Sequence, residues 1–328
     1  MVRIAFAGFR HPHINLLYKY AENNPDVEIV AAYEKDPAAR AAAQAELNVK
    51  FTHDNMDEML KEDYIDVVAI GDYYSARGPI AIAALKAGKH VYADKPLCIS
   101  QTELDEIEDL ARQKGLKVGC MLDLRQNKVV QPVYDFIRGG NLGEIHAIFF
   151  GGQHPLMYGT RAGWYFEEGK HGGTINDIAV HGIDLVEYLT GLSLKRVIAA
   201  RCWNAFAKEV PSFKDCAQFM AELSNGAGLM ADVSYAAPNS SGYTLPFYWR
   251  FTFWGTKGVM EFSSVSRDIL VALDGKPGSE IITAPDIDTG DCLSVFLDEL
   301  KGKKTYIDTE SVFRVTRDTL KIQEHAGR

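Results

Sequence analysis

Four residues in two distant stretches are of the types that handle a proton and a polar bond together. Lys95 stands in Gly88-Lys89-His90-Val91-Tyr92-Ala93-Asp94-Lys95-Pro96; Asp177, His181 and Asp184 stand between Gly172-Gly173 and Leu189-Thr190-Gly191. An ammonium polarises an oxygen and stabilises the charge that develops on it. An imidazole titrates near neutrality and can take or return the proton. Carboxylates beside them hold a lysine or accept a substrate hydroxyl. The set suits a hydroxyl that gains or loses a proton while charge develops on its oxygen.

The elements around these residues have to place them. An alanine-rich run from Pro79 to Ala87 predicts a helix that stops at Gly88, a residue suited to the position after a helix. His90 to Ala93 is β-branched and aromatic, a buried strand, and Pro96 ends it because proline cannot donate to a sheet ladder. Lys95 therefore lies at the carboxyl end of a strand, where open α/β sheets bind ligands. In the second stretch, helical spacing puts Asp177, His181, Asp184 and Tyr188 on one face, beside an apolar stripe of Ile178, Leu185 and Leu189. Any half-buried helix shows such a stripe, so a structural role stays open for each of them.

The first half alternates strands and helices. Val2 to Ala7 is a strand running into Gly8, and helices follow at Pro12–Asn23, Pro37–Leu47 and Leu104–Lys114. Further strands lie at Val27–Tyr33, Val67–Gly71 and Leu116–Met121. The alternation predicts a parallel, Rossmann-type α/β sheet covered on both faces. Its first turn, Gly8-Phe9-Arg10-His11-Pro12-His13, keeps one glycine of the three in a dinucleotide fingerprint. Arg10 stands where close backbone approach is usual, and its guanidinium could pair with a phosphate oxygen or obstruct it. His11 and His13, two apart, have no third ligand near them in sequence and are read as loop residues beside a cofactor; no metal is expected. Glu34 closes the second strand, 26 residues after Gly8. An acid there accepts ribose hydroxyls and repels a 2′-phosphate, favouring NAD(H), while its neighbour Lys35 would admit NADP(H).

The second half changes pattern. Strand-like runs at 145–150, 196–204, 217–223, 228–235 and 248–254 surround a hairpin signal at Asn225-Gly226. This predicts an α+β domain with a largely antiparallel sheet. Pro238 to Pro246 reads as a mobile surface loop, and Ser311 to His325 as a C-terminal helix that packs back on the first domain. The boundary falls at 122/123, giving domains 1–122 and 123–328. Trp164, Tyr165 and His154 precede the polar helix and could meet a sugar or belong to the core.

The two stretches resemble the glucose-fructose oxidoreductase, inositol dehydrogenase and rhizopine catabolism family. In that family a helix, an "AGKHV" strand and Glu-Lys-Pro occur in order, and a later helix carries glycines, D-x-x-x-H-x-x-D and L-x-G. Asp94 replaces the glutamate here. Arg125 and Asn127 match the family's Arg-Phe-Asn crossover, and Arg125 is expected either on substrate or in an ion pair. Asp72, Tyr73 and Tyr74 replace Thr-Pro-Asn, and Arg77 replaces a histidine. The resemblance implies a cofactor site from Gly8, Phe9, Arg10, His11, Glu34, Lys35, Asp72, Tyr73, Arg77, Asp94 and Lys95. It implies catalysis by Lys95, Asp177 and His181, and substrate contacts from Arg125, Trp164, His181 and Asp184. His181 or Lys95 is the base, and the Lys-Pro peptide is often cis in the family. The implied reaction is hydride transfer between NAD(P) and a sugar, inositol or similar polyol. A non-catalytic dinucleotide sensor and a dihydrodiol-type dehydrogenase are the alternatives.

Composition narrows the rest. The chain has 328 residues, enough for two domains. Its net charge of −9 argues against nucleic acid or an anionic membrane. No apolar run approaches the roughly 20 residues of a membrane helix. The chain enters a strand at once, so no secretory signal is expected. Five scattered cysteines suggest neither a zinc ribbon nor a disulfide framework, and a reducing cytoplasm is the expected compartment. A homodimer or homotetramer through the C-terminal sheet is expected from the family.

Overall fold

A computed structural model of the chain describes residues 1–245 and 248–327. It divides into two compact units, one of residues 1–121, 169–172 and 291–317, the other of residues 122–168, 173–290 and 318–328. Residues 291–317, which the sequence boundary assigns to the second half, are grouped with the first unit.

The first unit contains β1 (Val2–Ala7), α1 (His13–Asn23), β2 (Val27–Tyr33), α2 (Pro37–Leu47), α3 (Met56–Leu60), β3 (Val67–Ile70), α4 (Tyr74–Lys86), β4 (His90–Ala93), α5 (Gln101–Lys114) and β5 (Val118–Cys120). The strands form one sheet in the order β2-β1-β3-β4-β5, and every pair is parallel. β3 is buried at all four positions, as a strand covered on both faces must be. α1 buries Ile14, Leu17, Tyr18 and Ala21, an i, i+3, i+4, i+7 stripe. Each large side chain in such a stripe contributes about 1.5–3 kcal/mol when fully buried. α2 has its N-cap in Asp36, which accepts from Ala39 N at 2.8 Å, and ends on Asn48 at φ +54°.

α4 starts five residues before Pro79, which lies inside it. The sequence predicts a start at position 79, because proline suits the first turn; the helix in fact begins a turn earlier. Residues 56–60 and 292–300, for which the sequence predicts no element, are helices. The second of these places Cys292, Leu293, Phe296 and Leu297 in the same core cluster as Phe6, Tyr18 and Tyr92.

In the second unit, α6 (Val130–Arg138) and β6 (Ile145–Pro155) lead into a π-helical turn, Ile175–Ala179, continued by α7 (Val180–Thr190). β7 (Leu194–Trp203), β8 (Cys216–Leu223), β9 (Gly228–Ala237), β10 (Arg250–Gly255), β11 (Gly258–Ser263), β12 (Asp268–Leu273) and β13 (Glu280–Thr283) follow. The sheet order is β13-β12-β11-β10-β6-β9-β8-β7. β6 and β9 are parallel and the other pairs antiparallel, so the sheet is mixed. Sequence missed β11 to β13. Of the 238–246 loop, Pro246 lies outside the described residues; residues 239–241 form a single 3-10 turn. α8 (Cys292–Leu300) and α9 (Thr309–Ala326) close the chain.

Candidate functional site

In the first unit, the strand end that carries Lys95 is tied down at four points. Asp94 N donates to Ile70 O at 2.9 Å, continuing the ladder one residue past β4. Arg77, fully buried in α4, reaches this strand end with its whole guanidinium. Nη2 meets Asp94 Oδ2 at 2.9 Å, Nε donates to Asp72 O at 2.7 Å, and Nη1 donates to the carbonyls of Lys95 and Pro96. The Lys95–Pro96 peptide is cis. Lys95 is 2% exposed, and its Nζ lies 6.0 Å from the centre of the Tyr74 ring.

Asp94 is wholly buried and carries two imidazoles besides Arg77. His11 Nδ1 contacts Oδ2, and His13 Nδ1 lies 3.2 Å from Oδ1. Burial alone would raise this carboxyl; Arg77 and the two histidines overcome that and hold it well below the usual carboxylate range. Burial pushes the His11 imidazole down to about 3, against the pull of the Asp94 carboxylate. Asp94 is thus the third group that His11 and His13 lack in sequence. The ligand atoms of all three lie within 4.8 Å of one another.

The first βα turn is built by contacts among its neighbours. Gly8 adopts φ +84°, and a Cβ there would come within 2.7 Å of Asp72 Cβ, so glycine is required for the turn to pass the end of β3. His11 N donates to Gly71 O at 3.0 Å. Glu34, 2% exposed, accepts from Phe9 N at 2.5 Å and from Asp36 N at 2.7 Å. The acid expected on the ribose therefore also fixes the turn, and its burial raises its pKa. Arg10 lies 3.5 Å from Asp36 and over the Tyr73 ring at 5.6 Å; Lys170 sits over that ring at 5.0 Å. Lys35 is exposed. A dinucleotide fits this turn: α1 begins directly after it with no acid in its first turn and no side-chain cap, leaving an anion-compatible helix start.

In the second unit, the polar stretch divides among three sets of partners. Asp177 lies in the π-helical turn and is 1% exposed; its Oδ2 accepts from the Tyr235 hydroxyl on β9. Burial and the Asp177 charge raise Tyr235 well above an ordinary phenol, so Tyr235 stays the donor. His181 is 5% exposed, with Nδ1 3.7 Å from Asp123 Oδ1 and its ring 5.5 Å from Trp249, edge to face. Asp184 pairs with Arg125: Nε lies 3.1 and 2.9 Å from the two oxygens and Nη2 2.5 Å from Oδ1. The Arg125 guanidinium also covers the Tyr188 ring at 4.7 Å. Asp184, expected on substrate, is thus engaged with Arg125, for which an ion pair is one of the two expected roles. The wider π turn separates residues that an unbroken α-helix would align, and such turns recur at functional sites.

Trp164 is 4% exposed and stacks on Tyr165 at 4.1 Å. Trp249 is in the left-handed region at φ +47°, a conformation that costs energy in a bulky residue. Gly152 makes room for it, since a Cβ there would lie 2.5 Å from the indole. Tyr235, Trp249 and Arg161, whose guanidinium covers the Tyr165 and Tyr235 rings at 4.7 and 5.2 Å, carry no sequence motif. Only strand alternation marks Tyr235 as inward-facing.

A parallel five-stranded unit of the dinucleotide-binding type and an eight-stranded mixed-sheet unit make up the architecture. Residues 2–121 match the model of an oxidoreductase family with an NAD-binding Rossmann fold, and residues 130–261 match the GFO/IDH/MocA C-terminal domain. The chain belongs to the GFO/IDH/MocA family. An uncharacterized oxidoreductase of Synechocystis is 25% identical over 252 residues, 72% of this chain and 65% of that protein. Levoglucosan dehydrogenase of Pseudarthrobacter phenanthrenivorans is 27% identical over 163 residues, 48% of this chain and 41% of that protein. These alignments span less than two thirds of either relative. A solved levoglucosan dehydrogenase in complex with NADH and levoglucosan superposes with TM-score 0.80 at 19% identity, covering 99% of this chain and 97% of that one; it shares the fold.

Proposed function

We propose that this chain is an NAD(P)-dependent oxidoreductase that moves hydride between a nicotinamide and a hydroxyl or carbonyl of a sugar, inositol or similar polyol, with NAD(H) favoured. The observation that carries the reading is Lys95 at the carboxyl end of β4, fixed through Arg77, in a chain whose family is one of NAD-binding oxidoreductases. The name of levoglucosan dehydrogenase supports a sugar-like substrate.

Gly8, Phe9, Arg10, His11, Glu34, Lys35, Asp72, Tyr73, Arg77, Asp94 and Lys95 would hold the dinucleotide. A bound nicotinamide supplies the hydride chemistry. The Lys95 ammonium polarises the substrate oxygen. His181 takes the hydroxyl proton, and Asp177, ordered by Tyr235, completes the proton-handling group. Trp164, Arg125 and Asp184 shape the substrate side, the last two through their mutual ion pair. The chain first passes from one domain to the other at about 122/123, and residues 291–317 go with the first.

Two further assignments belong to the same reading. No disulfide joins cysteines among the described residues, which fits a reducing cytoplasm; no helix among the described residues is long and apolar enough to cross a membrane. The second sheet exposes Met220, Met230, Trp254, Leu270 and Ile281, and Met220 pairs with Met230 across β8 and β9. Such a face suits a homodimer or homotetramer contact.

The test is titration of NAD(H) and NADP(H) by fluorescence, then a polyol panel including levoglucosan, followed at the absorbance of the reduced nicotinamide. Turnover abolished by Lys95→Ala and by His181→Ala is the expected result. Cofactor binding without turnover on any substrate, unaffected by either substitution, would instead make the protein a dinucleotide sensor, the reading that Arg10 and His13 in place of turn glycines favour.

A further inference from the structure

His11, His13 and Asp94 gather two imidazoles and one carboxylate at a single point in the first unit. We propose that they form a binding site for one divalent transition metal of the zinc class, held by one imidazole nitrogen each of His11 and His13 and a carboxylate oxygen of Asp94.

The donor set is of the right chemistry. Neutral imidazoles and a carboxylate are zinc ligands, and three protein ligands with an open position make a recognised arrangement. One spacing already agrees: ligands about 2.0 Å from zinc at tetrahedral angles lie roughly 3.3 Å apart, and His13 Nδ1 lies 3.2 Å from Asp94 Oδ1. His11 Nδ1 contacts Asp94 Oδ2 directly, and metal binding exchanges that hydrogen bond for a metal bond. The short span His11-Pro12-His13 fixes both rings beside one another, with centroids 4.5 Å apart.

The outer contacts are those that metal ligands carry. A metal-bound imidazole directs its other nitrogen to a hydrogen-bond partner, and a bound carboxylate is itself anchored. His11 Nε2 faces the Tyr74 hydroxyl at 3.3 Å. Asp94 Oδ2 is anchored by Arg77 at 2.9 Å, which leaves Oδ1 on the side of His13. Access exists as well: His11 and Asp94 are buried, whereas the His13 side chain is 40% exposed. A metal has an entry path there without unfolding of the turn.

Charge sets the limit on affinity. Arg77 already balances Asp94, and α1 begins at His13 with its positive end toward the group. A divalent ion here keeps net positive charge, so water or an anionic ligand fills its open positions. The two imidazoles favour a transition metal over magnesium, which takes oxygen ligands.

The experiment uses the full chain, stripped with chelator and dialysed. Zn²⁺ and Co²⁺ are titrated by calorimetry and by the visible absorption of four-coordinate cobalt, and retained metal is measured by mass spectrometry after gel filtration. Wild type should hold one Zn²⁺ per chain, Mg²⁺ at equal concentration should not displace it, and His13→Ala should bind at least tenfold more weakly with an unchanged circular dichroism spectrum. His11→Gln is the second variant and should lose the same equivalent. The proposal is overturned if wild type retains no zinc, if Mg²⁺ competes equally, or if both variants keep the full equivalent.

Discussion

Asp94 and Asp177 are both buried carboxylates next to a residue proposed for chemistry, yet they are held in opposite ways. Asp94 at the end of β4 meets a guanidinium and two imidazoles. Asp177 in the π turn accepts from a phenol, Tyr235, which carries no charge. A charged partner fixes a carboxylate because losing either member strands the other in low dielectric. A phenol donor orders a carboxylate without itself bringing a charge to it. The strand end is thus clamped by charged groups, and the π turn adds a phenol hydrogen bond to its carboxylate.

The largest expected effect comes from breaking the clamp. Arg77→Ala leaves Asp94 buried without its guanidinium and removes donors from the carbonyls of Asp72, Lys95 and Pro96. Breaking a buried pair in this way costs about 3–5 kcal/mol, read as a lower midpoint in urea unfolding. A loss below about 1 kcal/mol would mean that Asp94 does not depend on Arg77. Next comes Tyr235→Phe, which removes one hydrogen bond to a charged group and should cost about 1.5–3 kcal/mol. The same variant has a pH signature. Tyr235 is raised in the folded protein by burial first and by Asp177 second. Above the ordinary phenol value of about 10, the unfolded chain loses this proton while the folded chain keeps it, so stability falls as pH rises. The alkaline fall in melting temperature should be shallower in Tyr235→Phe than in wild type.

Gly152→Ala tests the neighbour of His181. The added methyl would press on the Trp249 indole, and overpacking of this kind costs about 1–3 kcal/mol. A shift in tryptophan emission should accompany it; unchanged emission and stability would show that Trp249 moves aside freely. The smallest effect is that of His13→Ala in chelator-treated protein. Its half-exposed contact with Asp94 should be worth less than about 1 kcal/mol, measured by thermal unfolding with and without zinc.

Much of the scaffold was legible because it is written locally. α2 follows from Asp36, Pro37 and the alanines after them, and β4 from His90 to Ala93 between Gly88 and Pro96; both have the expected bounds. β11 to β13 were not, because short strands joined by tight turns lack a long period-two pattern. The π turn was invisible for a related reason: its sequence satisfies helical spacing, and the extra residue per turn leaves no compositional trace. The site was half legible. Lys95, Asp177 and His181 stand out by type and spacing, whereas their partners lie far off in sequence, Arg77 on another element from Asp94 and Tyr235 58 positions from Asp177. Pairings of that kind are made by the topology of the sheets and by no local rule.

The acid closing β2 has a consequence for redesign. In dinucleotide enzymes that carboxylate is the usual handle for exchanging one coenzyme for its phosphorylated form. Here Glu34 also ties Phe9 to Asp36 through both its oxygens. Neutralising it would slacken the very turn that a phosphorylated coenzyme must grip. A change of preference is better sought at Lys35, which is exposed and whose side chain can be exchanged without cutting that tie.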